Sequence, residues 1–157
     1  MHYITTLNIL VNNTKPEKKM SDLENHDLEK IRLRKTEMLL KAQSMPTEIV
    51  KIHSPEEFNK LTQDFSDKII IIDFWAVWCA PCMMFAPIFE KLQKERYQDF
   101  IFTKVNVDEV GSIAQNYRIT GIPTTLFIKD NKVIHKIVGS VNEDYMNRVL
   151  EKLKSFA

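Results

Sequence analysis

A chain of 157 residues has room for one domain of ordinary size and an appendage, and 44% hydrophobic against 27% charged residues is the balance of a chain that buries a full core. With 22 basic residues interspersed among 21 acidic ones the formal net charge is +1, so no global field selects nucleic acid or an anionic membrane as partner. No apolar run approaches the ~18 residues of a membrane span, and Thr5, Thr6 and Asn8 interrupt the opening segment, which lacks a basic start; no secretory leader is expected and the expected compartment is the cytoplasm.

Residues 1–24 are polar and without a sustained period, which reads as a loose tail, and Met20 is an alternative start. From about His26 to Gln43 the residues Leu28, Ile31, Met38, Ala42 and Met45 recur at helical spacing, interrupted by Lys35, which predicts an amphipathic helix. Its stripe is read as packing on the domain, with a helix-mediated dimer or partner contact as the alternative. The residue before a proline is pushed out of the helical region, so Met45-Pro46 ends the helix. That boundary separates an N-terminal extension, 1–45, from a folded domain, 46–157.

Glu48 to His53 alternates apolar and polar residues as a half-buried strand does. Ser54-Pro55-Glu56-Glu57 is a helix start, with a capping serine, proline at the first helical position and Glu at the third, and the helix is predicted to about Asp64. Lys68 to Trp75 contains Ile69-Ile70-Ile71-Ile72-Asp73-Phe74-Trp75, a run suited to a central strand covered on both faces, with Trp75 read as core. A helix from Cys79 to about Arg96 contains Pro87, which should kink it. Then come a strand from Phe100 to Val107, a short helix from Glu109 to Tyr117, a turn at Gly121-Ile122-Pro123 and a strand from Thr124 to Lys129. Asp130-Asn131 turns directly into Lys132 to Val138 as a hairpin. An amphipathic helix from Asn142 to Phe156 closes the chain, with Tyr145, Met146, Val149, Leu150 and Leu153 on its apolar side. The order βαβαβαββα predicts an α/β domain with a small mixed sheet and helices on both faces.

Cys79 and Cys82 are the whole cysteine complement and lie three apart, so they are no remnant of an extracellular disulfide framework. Disulfide exchange needs one exposed thiolate to attack and a second thiol nearby to resolve the mixed disulfide. At a helix start, residues three apart lie roughly 5–6 Å from each other, within reach of a disulfide. Free N–H groups and the helix dipole stabilise a thiolate at Cys79, making it the nucleophile. Cys82, one turn in and more buried, stays a thiol until a base takes its proton, and Pro81 stiffens the turn. A pair of ordinary buried cysteines or half of a zinc site are the alternatives, but zinc needs further ligands and His2, His26, His53 and His135 are isolated, so no metal is expected.

The segment Phe74-Trp75-Ala76-Val77-Trp78-Cys79-Ala80-Pro81-Cys82, then Ala86-Pro87, Gly121-Ile122-Pro123-Thr124 and Gly139, resembles thioredoxins in order and spacing over about residues 47–157. The resemblance implies a thioredoxin fold: a central five-stranded mixed sheet flanked by four helices, here with an N-terminal helical extension. It also implies a cis Ile122-Pro123 bond against the dithiol. Asp73 matches the family's buried acid, which shuttles a proton to and from Cys82, and Lys104 matches its basic neighbour. Trp78, Ile122, Pro123, Gly139 and Ser140, with Ala80 and Pro81 between the cysteines, match the surface on which a partner's extended segment docks.

Three features depart from the family pattern. Ala80 stands where glycine is usual, Met83 stands where lysine is common, and the extension lies outside the match. The implied activity is protein-disulfide reduction without a bound cofactor. Its expected partners are disulfide-containing proteins and a thioredoxin reductase as electron donor, and the expected state is a monomer. A thiol oxidase or isomerase, and an adaptor that binds a partner through the N-terminal helix, are the alternatives.

Overall fold

The apolar run Ile69–Trp75 forms strand β2, the middle strand of a five-stranded sheet, and its first six residues are all buried. In the computed structural model, which describes residues 20–43 and 45–155, the elements are α1 (Met20–Gln43), β1 (Val50–Ile52), α2 (Pro55–Asp64), β2, α3 (Ala80–Arg96), β3 (Phe100–Asn106), α4 (Gly111–Asn116), β4 (Thr124–Lys129), β5 (Lys132–Val138) and α5 (Glu143–Lys154). The strand order is β1-β3-β2-β4-β5, with β3 parallel to both β1 and β2, and β4 antiparallel to both β2 and β5.

Alternation along β2 divides the core into two layers. Ile70, Ile72 and Phe74 pack with Phe58 and Leu61 of α2 and Ile113 and Ala114 of α4. Ile69 and Ile71 point the other way and pack with Phe85, Phe89 and Leu92 of α3 and Met146, Leu150 and Leu153 of α5. Phe89 sits at the centre of that second layer between Phe85 and Phe102, its ring centroid 5.9 and 5.2 Å from theirs. These are the five-stranded mixed sheet and four flanking helices that the resemblance implied.

Local chemistry sets the element ends. Ser54 Oγ accepts the Glu57 N–H at 3.2 Å, while the Glu57 carboxylate accepts the N–H of His53, one residue before the cap, at 2.8 Å. At the β4–β5 turn Asp130 and Asn131 take φ of 50° and 58°, the left-handed pair that a two-residue hairpin requires. Asn142 caps α5 through its side-chain oxygen, 2.9 Å from the Tyr145 nitrogen. Three boundaries move inward from those expected: β1 covers only Val50–Ile52, β3 stops at Asn106, and α4 begins at Gly111 rather than Glu109.

The chain divides between Gln43 and Ser44 into two units. In the first, α1 starts at Met20, so the helix takes in residues expected to belong to the tail. Its apolar residues do not make one stripe: Leu33 and Leu40 fall on the face opposite Leu28 and Ile31, and all four are exposed. The expectation of a loose tail over residues 1–19 lies outside the described residues. No helix among the described residues is long and apolar enough to cross a membrane.

Phe89 is fully buried between two other rings, so Phe89→Ala is expected to lower unfolding free energy by about 3–5 kcal/mol. Urea denaturation followed by far-UV circular dichroism measures the change.

Candidate active site

Past its last residue, β2 runs through Ala76 into a turn that delivers Cys79 to the start of α3. The Cys79 N–H donates to the Ala76 carbonyl at 3.2 Å, and Cys79 is the N-cap of α3. Cys79 and Cys82 are joined as a disulfide, with Cα atoms 5.3 Å apart. The Cys82 N–H points at Cys79 Sγ from 3.2 Å, so an otherwise unpaired amide of the helix start serves the sulfur directly. An exposed attacking cysteine was expected, yet in this oxidised pair Cys79 is only 4% accessible and Cys82 2%. The bonded sulfurs pack with Ala76 against Trp75, Val107 and Ile122, which covers both.

The Ile122–Pro123 peptide is cis, as the resemblance implied. Ile122 touches the dithiol cluster, whereas Pro123 is buried and accepts the Gly139 N–H on its carbonyl at 2.8 Å. Gly139 adopts φ of 92°, a left-handed conformation in which a side chain would be strained, so glycine is what the turn after β5 needs there. Ser140 follows as an exposed residue, brought to this end of the sheet by Gly139, and Ala80 and Pro81 are exposed at the first positions of α3.

Asp73 is fully buried in β2 and belongs by alternation to the face covered by α3, the helix that carries Cys82. Lys104 is its register partner on β3, with Nζ 3.8 Å from Asp73 Oδ2, too long for a hydrogen bond; neither carboxylate oxygen has a hydrogen-bond partner. Burial therefore outweighs the lysine's attraction and raises the Asp73 pKa from 3.8 to about 6. The Lys104 ammonium also lies 5.0 Å from the centre of the Trp75 ring. Trp75, expected as core, is half-buried and lines a cleft of about 240 Å³ with Lys104, Asn106, Glu109 and His53.

Trp78 is 67% exposed beside the dithiol, and its indole N–H donates to Asp108 Oδ2 at 2.9 Å. Sequence reasoning missed the chain behind it. Asn106 Oδ1 accepts the Asp108 N–H at 3.0 Å, Asn106 Nδ2 donates to Glu109 Oε1 at 2.9 Å, and Glu109 Oε2 lies 3.0 Å from His53 Nδ1. The Asn106-Val107-Asp108-Glu109 cluster at the end of β3 was a visible turn signal. His53 lies 56 positions from Glu109 and joins them only because β1 pairs with β3.

A cysteine pair at a helix start, packed against a cis-proline loop, with a buried acid on the central strand that leads into it, defines a thiol–disulfide oxidoreductase. The thioredoxin family pattern matches residues 49–152. Thioredoxin H4 of Arabidopsis thaliana is 44% identical over 86 residues, 55% of this chain and 72% of the plant protein. An H-type thioredoxin of Brassica oleracea is 37% identical over 107 residues, 66% of this chain and 85% of that one. The crystal structure of thioredoxin from Malassezia sympodialis superposes with a TM-score of 0.63 at 34% identity, covering 68% of this chain and 91% of the fungal one. The chain belongs to the thioredoxin family. It is a thioredoxin-type protein-disulfide reductase that works through the Cys79–Cys82 pair.

The raised pKa of Asp73 has a consequence for stability with a definite sign. The folded chain holds this proton more tightly than the unfolded chain, so the burial penalty is absent below pH 3.8, grows from there to about 6, and is complete above that. Asp73→Asn is expected to stabilise the protein by about 2–3 kcal/mol at pH 8 and by little at pH 3.5. Denaturant midpoints at the two pH values measure the difference.

Proposed function

We propose that Cys79, as thiolate, attacks one sulfur of a protein disulfide and forms a mixed disulfide while the other substrate sulfur leaves as thiolate. Cys82 then loses its proton to Asp73 and attacks Cys79 Sγ, releasing the second substrate thiolate and leaving the Cys79–Cys82 disulfide. The observation that carries the assignment is the Cys82 N–H aimed at Cys79 Sγ from 3.2 Å, a donor that stabilises negative charge on that sulfur. Cys82, inside the first turn, has no such placement and needs a base.

Asp73 suits that role because a carboxyl with a pKa of about 6 is largely ionised at neutral pH yet basic enough to accept a proton. Lys104, held at 3.8 Å, limits how far burial raises that pKa and favours the carboxylate after the proton has gone. The partner's extended segment lies across Trp78, Ala80, Pro81, Ile122, Pro123, Gly139 and Ser140, its backbone against the cis-proline loop. A thioredoxin reductase returns two electrons to the disulfide, and the protein works as a monomer in the cytoplasm, where the thiol pool favours reduction. The thioredoxin domain, 46–157, carries this chemistry by itself, since every group named lies within it.

Insulin reduction driven by dithiothreitol tests the assignment. Cys79→Ser is expected to abolish protein-dependent turnover, and Cys82→Ser is expected to accumulate a mixed disulfide visible on a non-reducing gel. Cross-links that form through Cys82 in the Cys79→Ser protein would reverse the two roles. A chain beginning at Met45 is expected to reduce insulin at the rate of the full chain; a folded but inactive product would place part of the activity in the extension.

A further inference from the structure

The first two turns of α3 expose a ridge that the docking residues meet only at Ala80. Ala80, Met83, Met84 and Pro87 are spaced i, i+3, i+4 and i+7, which puts them on one face of the helix. All four are exposed, Met83 by 54% and Met84 by 76%. No charged residue occurs between Asp73 and Glu90. The ridge is therefore continuous in character with the exposed Val77 and Trp78 on the other side of the dithiol. An exposed apolar patch of this kind on a small domain marks a contact surface.

Cys79 determines what covers it. The sulfur belongs to a residue only 4% accessible, and the Met83 N–H donates to the Cys79 carbonyl at 3.2 Å, one turn away. A partner sulfur must come within bonding distance of Cys79. A polypeptide pressed that close covers the ridge with the side chains adjacent to its own cysteine. Apolar neighbours there bury area against two methionines. Lysine or glutamate neighbours lose water beside four side chains that carry no charge of their own. Unbranched methionine adapts to many shapes, so the ridge selects for apolar character rather than for one side chain.

We infer that the Ala80–Met83–Met84–Pro87 ridge directs this reductase toward protein disulfides whose cysteine is flanked by apolar residues and away from those flanked by charge. The inference rests on the reading of Cys79 as nucleophile. Three synthetic peptides with the same intramolecular disulfide and Leu, Lys or Glu beside the reactive cysteine test it. Each single-turnover rate with the prereduced full chain is divided by the same protein's rate with hydroxyethyl disulfide, which reports the dithiol alone. The Leu peptide is expected to be reduced about tenfold faster than either charged peptide, and Met83→Gln with Met84→Gln to cut that ratio to about twofold. Met83→Lys with Met84→Lys is expected to move the preference toward the Glu peptide. A wild-type ratio near one, or a ratio unchanged in the double glutamine variant, would overturn the inference. Failure of the underlying reading shows separately, as hydroxyethyl disulfide reduction that persists in Cys79→Ser.

Discussion

Burial of β2 on both faces is the constraint from which the active site follows. A strand covered by α2 and α4 on one side and by α3 and α5 on the other has no freedom to shift register, because a slip of one residue would exchange the two apolar sets. Its exit point is therefore fixed, and the turn from Ala76 to Cys79 starts from a rigid edge. The same burial strips water from Asp73, the single acid in the strand, and so gives that carboxyl both its unusual pKa and its destabilising effect.

The dithiol receives contributions from four separate parts of the domain. The start of α3 supplies an amide aimed at the sulfur, Ile122 a covering side chain, Gly139 a left-handed turn that secures the Pro123 carbonyl, and Asp108 an anchor for the exposed Trp78. Only the first of these is local to the CxxC sequence. The chain Trp78–Asp108–Asn106–Glu109–His53 extends the arrangement to the end of β1, so a residue at the sheet's edge takes part in holding an aromatic ring next to the cysteine pair in the chain.

Solvent access divides the site into two regimes. Around Asp73, Lys104 and the bonded sulfurs water is excluded, and proton affinities are set by burial and by one lysine. Around Val77, Trp78, Met83 and Met84 apolar surface lies open to water and gains by being covered.

Much of this was legible in the chain itself, because the signals are local. The β-branched run of β2, the Ser54 and Asn142 caps, the Asp130-Asn131 turn and the Cys79–Cys82 spacing each act through neighbours within four residues. Periodicity was less informative in α1, which begins earlier than its apolar spacing suggested and carries leucines on opposite faces. The alternation of Glu48 to His53 likewise overstated β1, whose ladder with β3 lasts only three residues. The cis geometry at Pro123 came by resemblance, since the isomer depends on what surrounds the loop. By itself the sequence determined the order of elements, the cysteine pair and its place at the start of a helix. Tertiary structure alone decided how far Asp73 is desolvated, how completely Cys79 is covered and that His53 meets Glu109, because burial and long-range pairing are properties of how strands assemble, and no residue carries them alone.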